Sequence, residues 1–153
     1  MPDNYELDNI DFAILNILTQ EATKPYTEVA RKIHVSGGTV HVRMNKMEAA
    51  GIVKGATLDL DYSKLGFSLT AFLGIFLTKS SLYDSVYEQL KMIDEIISIH
   101  YTTGNYSMFI KLVCKDTNHL KNILHDRIQH IEGIVRTETI ISLEESLSRN
   151  VHL

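Results

Sequence analysis

The chain has 153 residues, 44% of them hydrophobic and 22% charged, which is ordinary for a globular protein of one domain or two small ones. No basic segment followed by an apolar run opens it, so no secretory signal is expected, and no apolar stretch reaches the ~18 residues of a membrane span. The net charge of −4 speaks against a nucleic-acid binder unless the charge is unevenly spread. It is uneven: residues 24–54 carry six bases (Lys24, Arg31, Lys32, Arg43, Lys46, Lys54) against two acids, inside an otherwise acidic chain. The single cysteine, Cys114, offers neither an internal disulfide nor a metal cluster; a small buried hydrophobe in a reducing cytoplasm fits it.

The first predicted helix covers residues 8–20. Asp8 is its candidate cap, Asp11 lies in its first turn, and Ile10, Ile14, Ile17 and Leu18 recur at helical spacing. A second helix is expected after Pro25 with Thr27 as its cap and Val29, Ala30 and Ile33 on its inner face. Ser36 caps a third helix over residues 37–50, which stops near Gly51, and Gly37-Gly38 is expected to permit the tight turn before it. On that helix Val40, Met44 and Met47 share an inner face; Thr39, Val42, Arg43 and Lys46 share another, with His41 and Asn45 on the remaining arc.

A short helix, a tight turn and a helix with a polar, basic outer face are what a DNA-reading helix-turn-helix needs. The candidate DNA residues are Ser36, Thr39, His41, Arg43, Asn45, Lys46 and Lys54. Arg43 suits guanine edges or phosphates, Thr39 a thymine methyl or phosphate, His41 and Asn45 base edges, and Lys46 and Lys54 phosphates. A plain three-helix bundle with a solvated basic face has the same pattern. Ile52-Val53 and residues 58–60 read as short strands, forming a wing or a connector.

The remaining chain alternates strand and helix. A strand apolar on both faces is expected over Leu69–Leu77. A helix capped by Ser80 or Ser81 follows, with Leu82, Val86 and Leu90 inward. Strands at 96–103 and 106–114 flank Gly104-Asn105, a pair suited to a two-residue type II′ hairpin. Asp116 or Thr117 caps a helix with Leu120, Leu124 and Ile128 inward; Gly133 ends that connection and a last strand runs over 134–143. The order βαββαβ is that of a ferredoxin-like domain with an antiparallel sheet. Helices cover one face. Phe72, Gly74 and Phe76 make the first strand's other face apolar, and a second sheet from a partner subunit is the simplest cover. The expected class is therefore α+β: a helix-turn-helix head at residues 1–55, a connector at 56–67 and a ferredoxin-like domain at 68–153, which the resemblance described next implies to be the ligand-sensing and oligomerisation domain.

These residues resemble the Lrp/AsnC, or feast/famine, regulators. Val35-Ser36-Gly37-Gly38-Thr39-Val40-His41-Val42-Arg43 is similar to the family's turn and recognition-helix start, and Lys46-Met47-Glu48-Ala49-Ala50-Gly51-Ile52-Val53 continues it. Leu65-Gly66-Phe67 resembles the entry to the sensor domain. Tyr101-Thr102-Thr103-Gly104-Asn105-Tyr106-Ser107 and Thr137-Glu138-Thr139 resemble the asparagine-responsive branch. One departure is Gly37, where the family often has proline. The resemblance implies a regulator of double-stranded DNA whose dimers pair through their sensor sheets and assemble into octamers or related rings. It implies an amino-acid effector, asparagine by branch, held between dimers by Tyr101, Thr103, Gly104, Asn105, Tyr106 and Ser107. Backbone N–H groups at the Gly104-Asn105 turn suit the effector's carboxylate, and Glu138 its ammonium. No other cofactor, no metal and no membrane are expected.

Other functions fit less well. None of the seven histidines forms an i, i+4 pair, and His125 and His130, five apart, diverge by about 140° on a helix. No nucleophile elbow, phosphate loop or dinucleotide fingerprint is present, so no enzyme is expected. The third strand lacks the basic, glycine and aromatic pattern of an RNA-recognition sheet. An effector-independent architectural DNA-binding protein, or a small-molecule module without DNA function, remain as alternatives.

Overall fold

A computed structural model describes residues 5–153; the start of the expected head, residues 1–4, lies outside that range. The chain forms two compact units. The first runs to Asp59 and takes back Leu147–Leu153; the second is Leu60–Ser146. The expected sensor thus gives up its last seven residues to the first unit, where Asn16 brackets Leu153 (Nδ2 to the carbonyl oxygen at 2.6 Å, the Leu153 N–H to Oδ1 at 2.9 Å) and Asn150 donates to the Thr19 carbonyl.

Helix α1, Asn9–Leu18, starts from a reciprocal cap. Asp8 accepts from the Ile10 and Asp11 N–H groups, and the Asp11 carboxylate accepts from the Asp8 N–H at 3.0 Å. Helix α2, Tyr26–Lys32, begins one residue before Thr27. Pro25, with φ −59°, holds the cap position, and its carbonyl takes the Glu28 and Val29 N–H groups, so Thr27 lies inside the helix and caps nothing. Helix α3, Gly37–Ala49, is capped by Ser36 and closed at Gly51, whose φ of +71° lets the Ile52 N–H reach back to the Met47 carbonyl.

The turn between α2 and α3 differs from expectation. Its left-handed residue is His34, φ +58°, and both Gly37 and Gly38 lie in the first turn of α3. Residues 52–60 form no strand, so neither expected short strand is present. Ile14, Val29, Val40 and Met47 are fully buried at the centre of this unit, each burial contributing about 1.5–3 kcal/mol.

In the second unit, β1 is Leu69–Leu77, as its apolar run predicts. A 3₁₀ turn at Ser80–Leu82 leads into α4, Tyr83–Leu90, without either serine capping it. Strands β2, Ile96–Tyr101, and β3, Met108–Cys114, are shorter than expected. Asp116 caps α5, Thr117–Asn122, which widens into a π turn at Ile123–Ile128. The extra residue in that turn moves the inner face by one: Leu120, Ile123 and Ile128 are buried, and Leu124 only partly. It also brings the His125 and His130 rings to 5.9 Å, against the expected divergence. Strand β4 is Ile134–Ser142.

All neighbours in the sheet are antiparallel, in the order β2-β3-β1-β4, the ferredoxin-like arrangement. Ala71, Leu73 and Ile75 of β1 and Met108, Ile110 and Leu112 of β3 are fully buried together with Val86, Leu90 and Ile128 from the helices. Cys114 joins this core, and burial pushes its thiol up to about 11, as an inert packing residue requires.

Because Gly38 lies in a helix with only the Ser36 hydroxyl near its missing Cβ, at 3.8 Å, Gly38→Ala should stabilise the chain by about 0.5–1 kcal/mol. Urea unfolding measures this, and a destabilised variant would show that the turn needs the glycine after all.

Candidate functional site

Helix α3 presents two different kinds of polar group. Thr39, His41, Asn45 and Lys46 run along its outward side, the last three exposed, with Val42, 52% exposed, among them. His41 and Asn45 touch one another, their nitrogens 3.4 Å apart, and the His41 ring lies 6.0 Å from that of Tyr26. Ser36 is spent on the helix start: its hydroxyl accepts the Thr39 N–H at 3.0 Å and lies 2.8 Å from the Thr39 hydroxyl. Lys54 is exposed beyond the end of α3. Exposed Val42 was passed over as a contact in the sequence, although an outward valine on a polar face is a signal for a thymine methyl.

Arg43 departs from expectation. Its guanidinium turns from the outward row and binds Asp8 at 2.7 Å and Asp11 at 3.0 Å. Hydrogen bonding to Arg43 holds the Asp8 carboxyl below its ordinary range and raises the guanidinium further. Asp11 also accepts from the Tyr5 hydroxyl, and desolvation with that bond raises the phenol.

In the second unit, the expected two-residue hairpin opens into a six-residue loop. Ladder pairing ends at Tyr101 and Met108; within the loop the Thr102 hydroxyl donates to the Tyr106 carbonyl, and its N–H to that of Ser107. Two attachments to β1 hold it open. The Ser107 N–H donates to the Ile75 carbonyl while its hydroxyl accepts from the Leu77 N–H, and the Tyr106 ring packs against Gly74. A Cβ at Gly74 would stand 2.4 Å from the tyrosine ring, so the glycine is a seat for it.

The expected effector residues divide between the two sides of the sheet. Tyr101, opposite buried Met108, packs at a tilt against Tyr83 of α4, ring centroids 4.5 Å apart, and Tyr83 itself stacks on Tyr87; these partners carry no signal in the sequence beyond helical spacing. Tyr106 lies on the helix-free side, packed by Phe76 and Phe109. Glu138, expected to meet an ammonium, accepts from the Tyr106 hydroxyl at 2.7 Å, a bond that raises the tyrosine's pKa, and pairs with Arg136 at 2.9 Å. Thr103, Gly104 and Asn105 are exposed at the tip, and Gly104 has φ +99°. Among the described residues, no group of three or more His, Cys, Asp or Glu could hold a metal ion, and no helix is long and apolar enough to cross a membrane.

Residues 7–54 match a winged helix-turn-helix DNA-binding domain, and residues 70–151 match the Lrp/AsnC ligand binding domain. The chain belongs to the Lrp/AsnC family. It is 40% identical to regulatory protein AsnC of Haemophilus influenzae over 147 residues, 96% of this chain and 98% of that one. The solved structure of Escherichia coli AsnC matches with a TM-score of 0.91 at 39% identity, covering 97% of this chain and 100% of the other. A Neisseria meningitidis transcriptional regulator solved as its L-Met complex has the same fold, TM-score 0.89 at 19% identity over 94% of each chain. As an Lrp/AsnC protein the chain is a transcriptional regulator with a DNA-binding and a ligand-binding domain, and not an enzyme.

The seat at Gly74 makes a testable claim on the sensor of this Lrp/AsnC chain. Gly74→Ala should cost about 1–3 kcal/mol, because the ring it strikes is wedged between Phe76 and Phe109. In a Tyr106→Ala background the same substitution should cost almost nothing. Equal costs in both backgrounds, measured by urea unfolding, would place the strain elsewhere.

Proposed function

We propose that this regulator is a cytoplasmic homo-oligomer whose α3 reads specific DNA and whose affinity for it is tuned by a small amino acid, asparagine first among the candidates. The observation that carries the DNA reading is the outward row of α3. Thr39, His41, Asn45 and Lys46 surround an apolar Val42 at the start and middle of a helix that follows a short helix and a tight turn. Hydrogen-bonding groups and one methyl-bearing side chain suit base edges, with Ser36 holding the helix start and Lys54 placed for a phosphate.

The effector reading rests on the loop at residues 102–107. Its exposed tip offers the Gly104 and Asn105 backbone N–H groups, with Gly104 in a conformation that favours glycine, and the Thr103 and Asn105 side chains. Such a tip suits a carboxylate and a side-chain amide. Tyr106 and Arg136 each engage one oxygen of Glu138, so the ammonium falls to the acceptor capacity Glu138 keeps, to Tyr101's edge of the sheet, to water or to a second copy of the loop. The Neisseria regulator's L-Met supports an amino acid as the ligand class, and the resemblance to the asparagine-responsive branch supports asparagine.

The helix-free side of the sheet supports the oligomer. Phe72 stacks on Phe109 there at 5.7 Å, next to Tyr106, Phe76 and half-exposed Ile140. A second copy turned face to face covers this patch, and further association into an octamer or related ring brings the loops of neighbouring dimers together. Several linked heads on one DNA raise affinity without new contacts.

The test is a thermal-shift screen of the full chain against the twenty amino acids. Asparagine at 100 times its Kd should stabilise the native state by about 2.7 kcal/mol, and Gly104→Val should remove that shift. A shift with another amino acid alone would change the effector. No shift with any would leave an effector-independent DNA-binding protein.

A further inference from the structure

Arg43 is a base on the helix proposed to read DNA, yet its charge is already used. Among the described residues, Asp11 is the one polar side chain that is fully buried, and a buried carboxylate needs a cation and hydrogen bonds to be tolerated. It has them: the Arg43 guanidinium at 3.0 Å, the Tyr5 hydroxyl and the Asp8 N–H. Asp8 offers the same guanidinium nitrogen a second oxygen at 2.7 Å, while its other oxygen is fixed by the Ile10 and Asp11 N–H groups. Both carboxylates are therefore oriented by the backbone at the start of α1 before Arg43 arrives. A guanidinium between two such carboxylates fixes direction as well as distance.

The position of the tie matters. Val40, Met44 and Met47 hold the inner face of α3, but apolar contacts alone allow a helix to roll and slide on its neighbours. Arg43 lies between Val42 of the exposed row and Met44 of the core, at the border between the two faces of α3. A small roll there moves Thr39, Val42 and Lys46 together.

We propose that Arg43 is a positioning residue: held by Asp8 and Asp11, it sets the rotation of α3 so that the neighbouring side chains meet DNA, and it does not itself contact bases or phosphates. The proposal rests on the DNA reading above and gives both acids at the start of α1, Asp8 and Asp11, a part in recognition, although neither belongs to α3.

The experiment uses the full chain and a duplex recovered from a random pool by the wild-type protein. Arg43→Gln and Asp11→Asn should each weaken binding by about tenfold or more, and the double variant should lose little beyond either single one. The slope of log K against log salt should stay at the wild-type value for Arg43→Gln, while Lys46→Gln should flatten it by about 0.9, the value of one phosphate contact. Reselection with Arg43→Gln should return weakened preference at every position α3 reads. Preference lost at one base pair only, a flatter salt slope, or losses that add would each make Arg43 a direct contact and overturn the proposal. A lowered melting temperature with unchanged affinity of the folded protein would overturn it too. Should Asp11→Asn fail to fold, Asp8→Asn removes half the tie from an exposed position; affinity equal to wild type would then refute it. A wild-type chain that enriches no duplex removes the DNA reading itself, and this proposal with it.

Discussion

Strand β1 lies inside its sheet with apolar side chains on both faces, and helices cover only one of them. Leu73 and Ile75 close the core beneath α4 and α5, while Phe72 and Phe76 stand on the other side. A domain of this size has no further layer of its own to spend on that second face. The consequence reaches well beyond packing. The uncovered face is where Tyr106 comes to rest on Gly74, so the loop that carries the candidate effector groups is anchored to the same surface that a second copy would cover. The loop at residues 102–107 and the uncovered face are thus joined through a single tyrosine and the β1 residues that hold it.

The head solves a different problem. Three short helices make a small core, and apolar contacts within it do not define the orientation of α3 finely. A buried carboxylate does, because its partners must be at hydrogen-bond distance and in line. The Tyr5, Asp8, Asp11 and Arg43 group therefore adds direction to a core that supplies only cohesion. The same acids cap α1, so helix initiation and helix orientation rest on the same two side chains.

Much of this was legible in the sequence. Local rules that act within a few residues worked: Asp8 and Ser36 as caps, Gly51 as a stop, Leu69–Leu77 as a strand, and the βαββαβ order. Features decided by distant partners were not. Gly104-Asn105 has the composition of a tight hairpin, but Ser107 and Tyr106 are held by β1, thirty residues away in sequence, and the loop opens. Arg43 has the spacing of an outward base, and its partners lie on another helix. The Tyr106 bond to Glu138 crosses the sheet between residues 32 apart and has no local signal. Helical wheels assume 3.6 residues per turn, so the π turn after α5 displaced both the Leu124 assignment and the His125–His130 geometry. Pro25 displaced Thr27 because a fixed φ starts a helix without any side-chain cap.

In the proposed function, effector and DNA act on one another through this chain. Linkage requires that an effector which changes DNA affinity by some factor has its own affinity changed by DNA by the same factor. The direct measurement is fluorescence anisotropy of a selected duplex titrated with the full chain, without and with saturating asparagine, paired with calorimetric titration of asparagine into free and DNA-bound protein. Linkage through this chain should give a shifted DNA Kd and an equal shift in the asparagine Kd. DNA binding identical in both conditions, with asparagine bound in each, would contradict it.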